Sequence, residues 1–255
     1  MSRWPIELTA PRVLPLSPAL HAAGATAALR VDTALAAWRM ALDTAALPAR
    51  SRVLCLLRDD LVRLRVLPWH DGLSSPPARQ AHARQCFIDT FGEAARPWQV
   101  LVDVPHYGQP SLACAIDPRL LAGLDAELKA RDLRQAGVQP ALVSAFNRER
   151  PALPRQGAWL VLRHEAGLSL LLLQAGAPRH VKQVAGDGTA LPTLIERESF
   201  ALGLEGAPLP VHQAQAFASS VVYATPAAPV ASVAPVAGTE PIAAVRLVLQ
   251  PGRGT

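Results

Sequence analysis

The chain has 255 residues, enough for one large domain or two small ones at roughly 150 residues each. Half of them are apolar and 18% are charged, which excludes a disordered chain and fits a packed core. Twenty-five basic against twenty acidic residues give a formal charge of +5. Only Lys129 and Lys182 are lysines, and heavy use of Ala, Arg and Pro together is what GC-rich codons produce. The arginines are scattered singly with acids between them, and aromatics for base stacking make up only 5% of the chain. The basic balance therefore does not mark a nucleic-acid footprint.

Cys55, Cys86 and Cys114 are odd in number, widely spaced and free of any CxxC pair. They form neither a disulfide framework nor a zinc knuckle, and they favour a reducing compartment. Residues 1–8 carry Arg3 and Glu7 and lack the apolar centre of a signal peptide. The most hydrophobic stretch, 168–173, falls far short of the about 20 residues a spanning helix needs. The expectation is a cytoplasmic protein that meets a membrane only through a partner.

Prolines interrupt two short edge strands at 6–8 and 12–16. Asp32 is expected to cap a helix over 32–46, with Leu35, Trp38 and Leu42 on its apolar face. Arg52–Leu57 (RVLCLL) is an apolar run of strand length and suits a buried strand. Residues 59–67 alternate from Leu61 onward, as a second strand or a helical turn does. A loop at 73–78 leads to a helix over 79–91 with Ala83, Phe87 and Phe91 in one stripe, stopped by Gly92. Strands at 98–104 and 111–117 flank a turn-rich Pro105–Pro110 connection and predict a hairpin.

Asp117-Pro118 is a helix start, and Leu120, Leu121, Leu124 and Leu128 supply the buried face. Residues 138–145 read as a strand or a strand turning into a helix, and 147–155 as a charged connector. Three short strands at 159–162, 168–173 and 179–184, separated by Gly167 and Gly176-Ala177-Pro178, predict an antiparallel meander. A helix over 189–204 is expected to start on a capping box from Thr193 to Glu196. A last strand lies at 219–223, and the Ala/Pro-rich tail 224–255 is expected to be disordered. Within that tail, 243–249 has the pattern of a strand added to a sheet edge. The pattern of strands followed by a helix occurs before residue 146 and again after it, which implies two lobes of mixed α/β structure.

Chemistry-bearing motifs are scarce. There is no GxxxxGK[ST] loop, no GxGxxG turn, no GxSxG elbow, and no HxH or HxxxH pair among the seven histidines. Cys55 and Cys114 lie inside apolar strands and read as core residues, and Cys86 beside Phe87 as structural. Asp59-Asp60, flanked by Arg58 and Arg63, reads as a solvated acid pair at a turn or helix start. The adjacent pairs His70-Asp71 and His164-Glu165 read as surface or turn residues. Asp103, His106 and Tyr107 are the most enzyme-like cluster and leave a small hydrolase open as an alternative. Trp69 and Trp98 are either core residues or partner anchors. No residue is assigned as catalytic, cofactor-binding or metal-ligating.

The segment order Arg52-Val-Leu-Cys-Leu-Leu, Leu61-Val-Arg63, Val66-Leu-Pro-Trp69 and Phe91-Gly-Glu93, followed by the meander and a helix containing Glu196-Arg-Glu198, resembles a known family. These are the actin-like cytoplasmic platform proteins of type IV pilus and type II secretion systems, of the PilM and GspL type. The resemblance covers about residues 3–223. It implies a two-lobed actin-like (RNase H-like) fold, with lobes at 1–145 and 146–223. PilM-like members bind ATP through two turns of the form D-[IL]-G-x-x-[ST]. Here the first would fall at Ile6-Glu-Leu-Thr-Ala-Pro11, which lacks an Asp–Gly pair. The second would fall at Arg163-His-Glu-Ala-Gly167, where only Gly167 fits. The resemblance thus implies a scaffold without a cofactor, a pseudo-ATPase. Its partners would be an inner-membrane platform protein, bound through a cytoplasmic segment, and that platform's motor ATPase, with no nucleic acid. A nucleotide-binding ATPase of the same machinery is the alternative.

Overall fold

Arg52–Leu57 is apolar on both faces, and the fold places it inside a sheet rather than at an edge. The computed structural model describes residues 12–15, 27–73, 75–103, 107–164, 167–185, 190–204, 208–214 and 220–224. β1 (Arg12–Pro15) and β2 (Arg52–Leu57) belong to a four-stranded sheet completed by two later strands, Ser220–Ala224 and Arg134–Pro140. The first of these lies between β1 and β2 and pairs antiparallel with both, bringing Arg12 opposite Tyr223. The second runs parallel to β2 on its other side.

β3 (Val62–Leu67), β4 (Gln99–Val102) and β5 (Ser111–Ile116) form an antiparallel sheet with β5 in the centre. The expected hairpin is its β4–β5 pair. Period-two alternation gives this sheet two faces. Val62, Leu64, Leu112, Cys114 and Ile116 enter the main core. Ala113 and Ala115 on the opposite face pack with Ala83 and Phe87 of a helix over Pro76–Phe91.

The chain-order labels continue with β6 (Arg134–Pro140), the meander β7 (Gly157–His164), β8 (Gly167–Gln174) and β9 (Ala177–Ala185), then β10 (Val211–Ala214) and β11 (Ser220–Ala224). The third sheet has the order β10-β7-β8-β9, with β10 parallel to β7. The helices are α1 (Ala27–Ala45), α2 (Pro76–Phe91), α3 (Pro118–Lys129), α4 (Ala141–Glu149) and α5 (Leu191–Ala201). Trp159, Leu170 and Leu172 pack against Leu194 of α5. On the other side of the same strands, Leu160, Leu162, Leu171 and Leu173 join a core that also contains Val53, Leu64, Trp38, Leu124 and Phe146. One apolar core therefore touches all three sheets. Each such fully buried large side chain contributes about 1.5–3 kcal/mol.

Three helix starts differ from the sequence reading. α1 begins at Ala27, and Asp32 is an exposed mid-helix residue rather than a cap, because Ala27 to Val31 contains nothing that stops a helix. The stretch expected as a loop at 73–78 holds the start of α2: the Ala78 N–H donates to Ser75 Oγ at 3.3 Å, and Pro76 and Pro77 occupy the first turn. α5 starts at Leu191 with Pro192 in its first turn, so Thr193 lies inside the helix and caps nothing. The expected start at Asp117 is present, with the Arg119 N–H donating to its carboxylate at 2.9 Å. The expected strands at 6–8 and 243–249, and the tail beyond 224, lie outside the described residues. Among the described residues no helix is long and apolar enough to cross a membrane.

Candidate functional site

Between β2 and β3 the chain makes a short 3-10 turn, Asp59–Leu61. Sequence alone suggests a solvated acid pair there, and the fold separates the two acids. Asp60 is gripped by Arg58, whose Nε and Nη2 donate to its two carboxylate oxygens at 2.9 and 2.7 Å. Asp59 turns inward and is only 1% exposed. The Leu142 N–H donates to its Oδ1 at 3.1 Å. α4 follows Pro140, which offers no side-chain cap, and Asp59 supplies the missing acceptor from across the fold.

The second oxygen, Oδ2, is buried without a hydrogen bond. Burial pushes the Asp59 carboxyl up to about 6, with a smaller push from Asp60. The Ser169 hydroxyl and the Leu142 N–H oppose the shift, the hydroxyl from outside normal hydrogen-bond geometry.

Ser169 is fully buried on β8, and its Oγ lies 3.5 Å from Nε2 of His164 at the end of β7. The His164–Glu165 pair, read from sequence as a surface or turn pair, therefore has its histidine half-buried against the junction of two sheets. The β7–β8 turn is where a second phosphate-binding turn would lie. Arg163 there is exposed, and Glu165 and Ala166 lie outside the described residues. Gly167 has φ +146°, and a Cβ at this position would lie 1.9 Å from the Val184 carbonyl oxygen. Its lack of a side chain is what lets β8 and β9 pair at the Gly167–Ala185 position.

β3 and β9 are edge strands of separate sheets, and one side chain joins them. Gln183 Nε2 donates to the carbonyls of Asp59 and Val62, and the Leu64 N–H donates to Gln183 Oε1 at 3.4 Å. The amide thus serves β3 as a neighbouring strand would, at a single point. Around this joint lies a cleft of about 610 Å³, lined along Arg63–Val66 of β3 and 179–185 of β9.

The cleft gathers Arg30, Arg63, Arg65, Arg179 and Lys182. Its acids are already engaged: Asp59 with Leu142 and Asp60 with Arg58. Lys182 lies 3.7 Å from the buried Glu198, which also faces His180 and Arg197 at 3.6 and 3.5 Å. Arg63 donates to the main-chain carbonyls of Asp60 and Val62, and Arg65 to that of Cys86. Burial and the nearby charge of Arg30 hold the Arg63 guanidinium below its ordinary value, against the pull of Asp60. Arginines that look isolated in the sequence are therefore brought to one place by the fold. The only sequence sign of this was the Arg63-x-Arg65 spacing, which sets both on one face of a strand.

Among the described residues the other candidates do not converge. Cys55 and Cys114 are fully buried, and burial raises both thiols, as expected of core residues. Cys86 lies one helical turn from His82, Sγ to Nε2 3.5 Å, and burial raises its thiol as well. Trp98 packs against Phe91, with ring centroids 5.3 Å apart. Trp69 meets the exposed Tyr107 edge-on at 5.1 Å. His106 lies outside the described residues, so the Asp103–His106 pairing is not seen. No group of three or more metal-binding side chains gathers among the described residues.

No family model and no curated protein matches the chain. Among solved structures, a chain of the PilM-PilN type IV pilus biogenesis complex is similar with a TM-score of 0.50 and 16% identity, over 75% of this chain and 57% of that one. The cytoplasmic domain of EpsL, an inner membrane component of the type II secretion system of Vibrio cholerae, gives a TM-score of 0.48 and 17% identity over 71% of this chain and 67% of that one. A Bacteroides thetaiotaomicron protein with an actin-like ATPase fold and unknown function gives 0.45 and 10% identity over 70% and 66%. This chain thus spans 57% of the length of its PilM-PilN counterpart. The fold is the mixed α/β, actin-like one that the segment order implied, and the chain is similar in fold to that of the PilM-PilN complex.

Proposed function

We propose that the chain is a non-catalytic scaffold of a type IV pilus or type II secretion inner-membrane platform. It would bind the cytoplasmic segment of a platform protein and help to station the motor ATPase there. Its lobes would be 1–145 and 146–223, with β11 crossing back onto the first lobe's sheet and 224–255 as a tail. Similarity in fold to the PilM-PilN complex supports the choice of machinery.

One observation carries the non-catalytic reading. The carboxylates facing the cleft are committed to structural work, Asp59 to the start of α4 and Asp60 to Arg58. A magnesium nucleotide needs free acidic oxygens to hold its cation. Asp59 is buried and Asp60 is held by Arg58, so neither fits that group, and no nucleotide chemistry is assigned to them.

Co-purification of the full chain with co-expressed pilus or secretion platform proteins tests the reading. A stoichiometric complex is expected, and the absence of any platform partner would count decisively against it. Calorimetry with Mg-ATP tests the alternative ATPase: no heat is expected at millimolar nucleotide, whereas micromolar affinity would replace the scaffold reading.

A further inference from the structure

The sheet face under α5 holds a charge arrangement that apolar packing does not explain. Pairing sets Trp159 of β7 opposite Leu172 of β8, and Leu172 opposite His180 of β9, so the three share one face. Two residues along β9, Lys182 returns to that face opposite Leu170. α5 covers the face with Leu194 and, one turn on, Glu198, both buried. A carboxylate thus stands where an apolar residue would continue the contact.

Two permanent cations already share that carboxylate. Lys182 Nζ lies 3.7 Å from Oε1, and Arg197 Nη2 lies 3.5 Å from the same oxygen. His180 Nε2 approaches the other oxygen at 3.6 Å and is buried without a hydrogen bond. The indole Nε1 of Trp159 is buried without one as well, and its ring meets the imidazole edge-on, with centroids 6.4 Å apart. With a neutral imidazole the group holds one positive charge in excess, and with an imidazolium it holds two. Like charges gathered beneath a helix, away from water, oppose that second charge.

Nothing else around His180 relieves it. β7 and β8 set Trp159 and Leu172 against it, and neither titrates. The cleft that His180 also borders adds Arg179, Arg63 and Arg65, while its acids Asp59 and Asp60 are engaged by Leu142 and Arg58. Burial holds the His180 imidazole below its ordinary 6.5; Glu198 opposes that shift and Lys182 adds to it. A base lowered in the folded state supports folding above its ordinary value and withdraws that support as pH falls.

We propose that His180 is an acid-sensitive clasp for α5. Uncharged, it leaves Glu198 to serve Lys182 and Arg197 and keeps the helix seated on β7, β8 and β9. Protonated, it brings a third cation to one carboxylate, and α5 loosens from the sheet and bares the Trp159–Leu172 row. The clasp works in the same way whatever machinery the chain serves.

Native-state hydrogen exchange of the full chain tests it at about pH 7.5 and about pH 5.5, on either side of the ordinary 6.5, with rates corrected for the intrinsic effect of pH. The α5 amides lose about tenfold in protection at the lower pH, the scale of one charge-assisted contact. The α3 amides report any global change, including that from Asp59, and the α5 loss is read relative to them. His180→Gln stays polar and cannot charge, so its α5 protection is the same at both pH values. Glu198→Gln loosens α5 at both and enlarges the pH effect, because the carboxylate eases protonation of His180. In the parent, the His180 ring protons followed by NMR titrate below 6.5.

A ring midpoint at or above 6.5 overturns the proposal, since acid would then tighten the contact with Glu198. So does α5 protection that falls by the same factor in His180→Gln, or that tracks α3 at both pH values. The ring titration needs no variant and decides the question even where a substitution disturbs folding.

Discussion

Asp59 receives the Leu142 N–H at 3.1 Å, a bond between residues 83 positions apart. It ties the β2–β3 turn to the start of α4 with a side chain that burial makes costly to ionise. In the folded protein the carboxyl titrates at about 6, against its ordinary 3.8. The raised value means that this residue favours folding most at pH below 3.8. The benefit drains away as pH rises through 6 and stays lost above it, a change of about 3 kcal/mol. Asp59→Asn does not titrate and still offers an acceptor to Leu142. Its unfolding free energy relative to the parent therefore improves by about 2–3 kcal/mol between pH 4 and pH 7. Denaturant titrations at the two pH values measure it, and a constant difference would refute it.

Gln183 is the hinge pin between two sheets. Replacing it with leucine keeps the bulk and removes the bonds to Asp59, Val62 and Leu64. The stranded main-chain groups cost about 2 kcal/mol. The loss shows as a lower Tm and as faster hydrogen exchange at the Leu64 amide. Exchange that stays as slow as in the parent would show that β3 is held by something else.

Gly167→Ala tests a different kind of constraint. The new methyl group would have to displace the Val184 carbonyl, and the backbone at φ +146° resists any side chain. A loss of about 3 kcal/mol follows. Gly176→Ala, where the added carbon meets nothing within 4 Å, pays only for its φ of +75° and loses less. Equal losses in the two variants would contradict this account of the β8–β9 pairing.

The thiols divide by burial. In the native protein a thiol reagent modifies Cys86 alone, slowly, since burial raises that thiol; Cys55 and Cys114 react only after unfolding. Two or more thiols reacting at native rates would mean that β2 or β5 opens locally.

Much of the framework was legible because it depends on neighbours in sequence. The RVLCLL run announces a strand buried on both faces, and β2 lies between β11 and β6. Asp117-Pro118 announces the start of α3. The meander is spelled by its apolar runs and turn glycines. Where a helix begins was harder to see, as with α1, because Asp32 fits a cap and an exposed helical surface equally well. The candidate site was the least legible part. Its arginines come from α1, β3 and β9, and nothing near Asp59 in the sequence tells of a helix start beyond Pro140 that lacks a cap. Gly167 illustrates a subtler failure: its presence was visible, but its reason, the approach of the Val184 carbonyl, belongs to pairing that only the fold reveals.

The pairing of β1 with β11 has a mechanical consequence. Arg12 sits opposite Tyr223, so the segments that join these strands from outside both leave at the same end of the sheet. Tension applied between those two segments would act on the ladder as on a zipper, opening one residue pair at a time from Arg12–Tyr223 inward. A pull on either segment against the body of the molecule would instead load several bonds together in shear. Whatever hangs from this corner is thus anchored firmly against the protein, while the two tethers part from each other with little force.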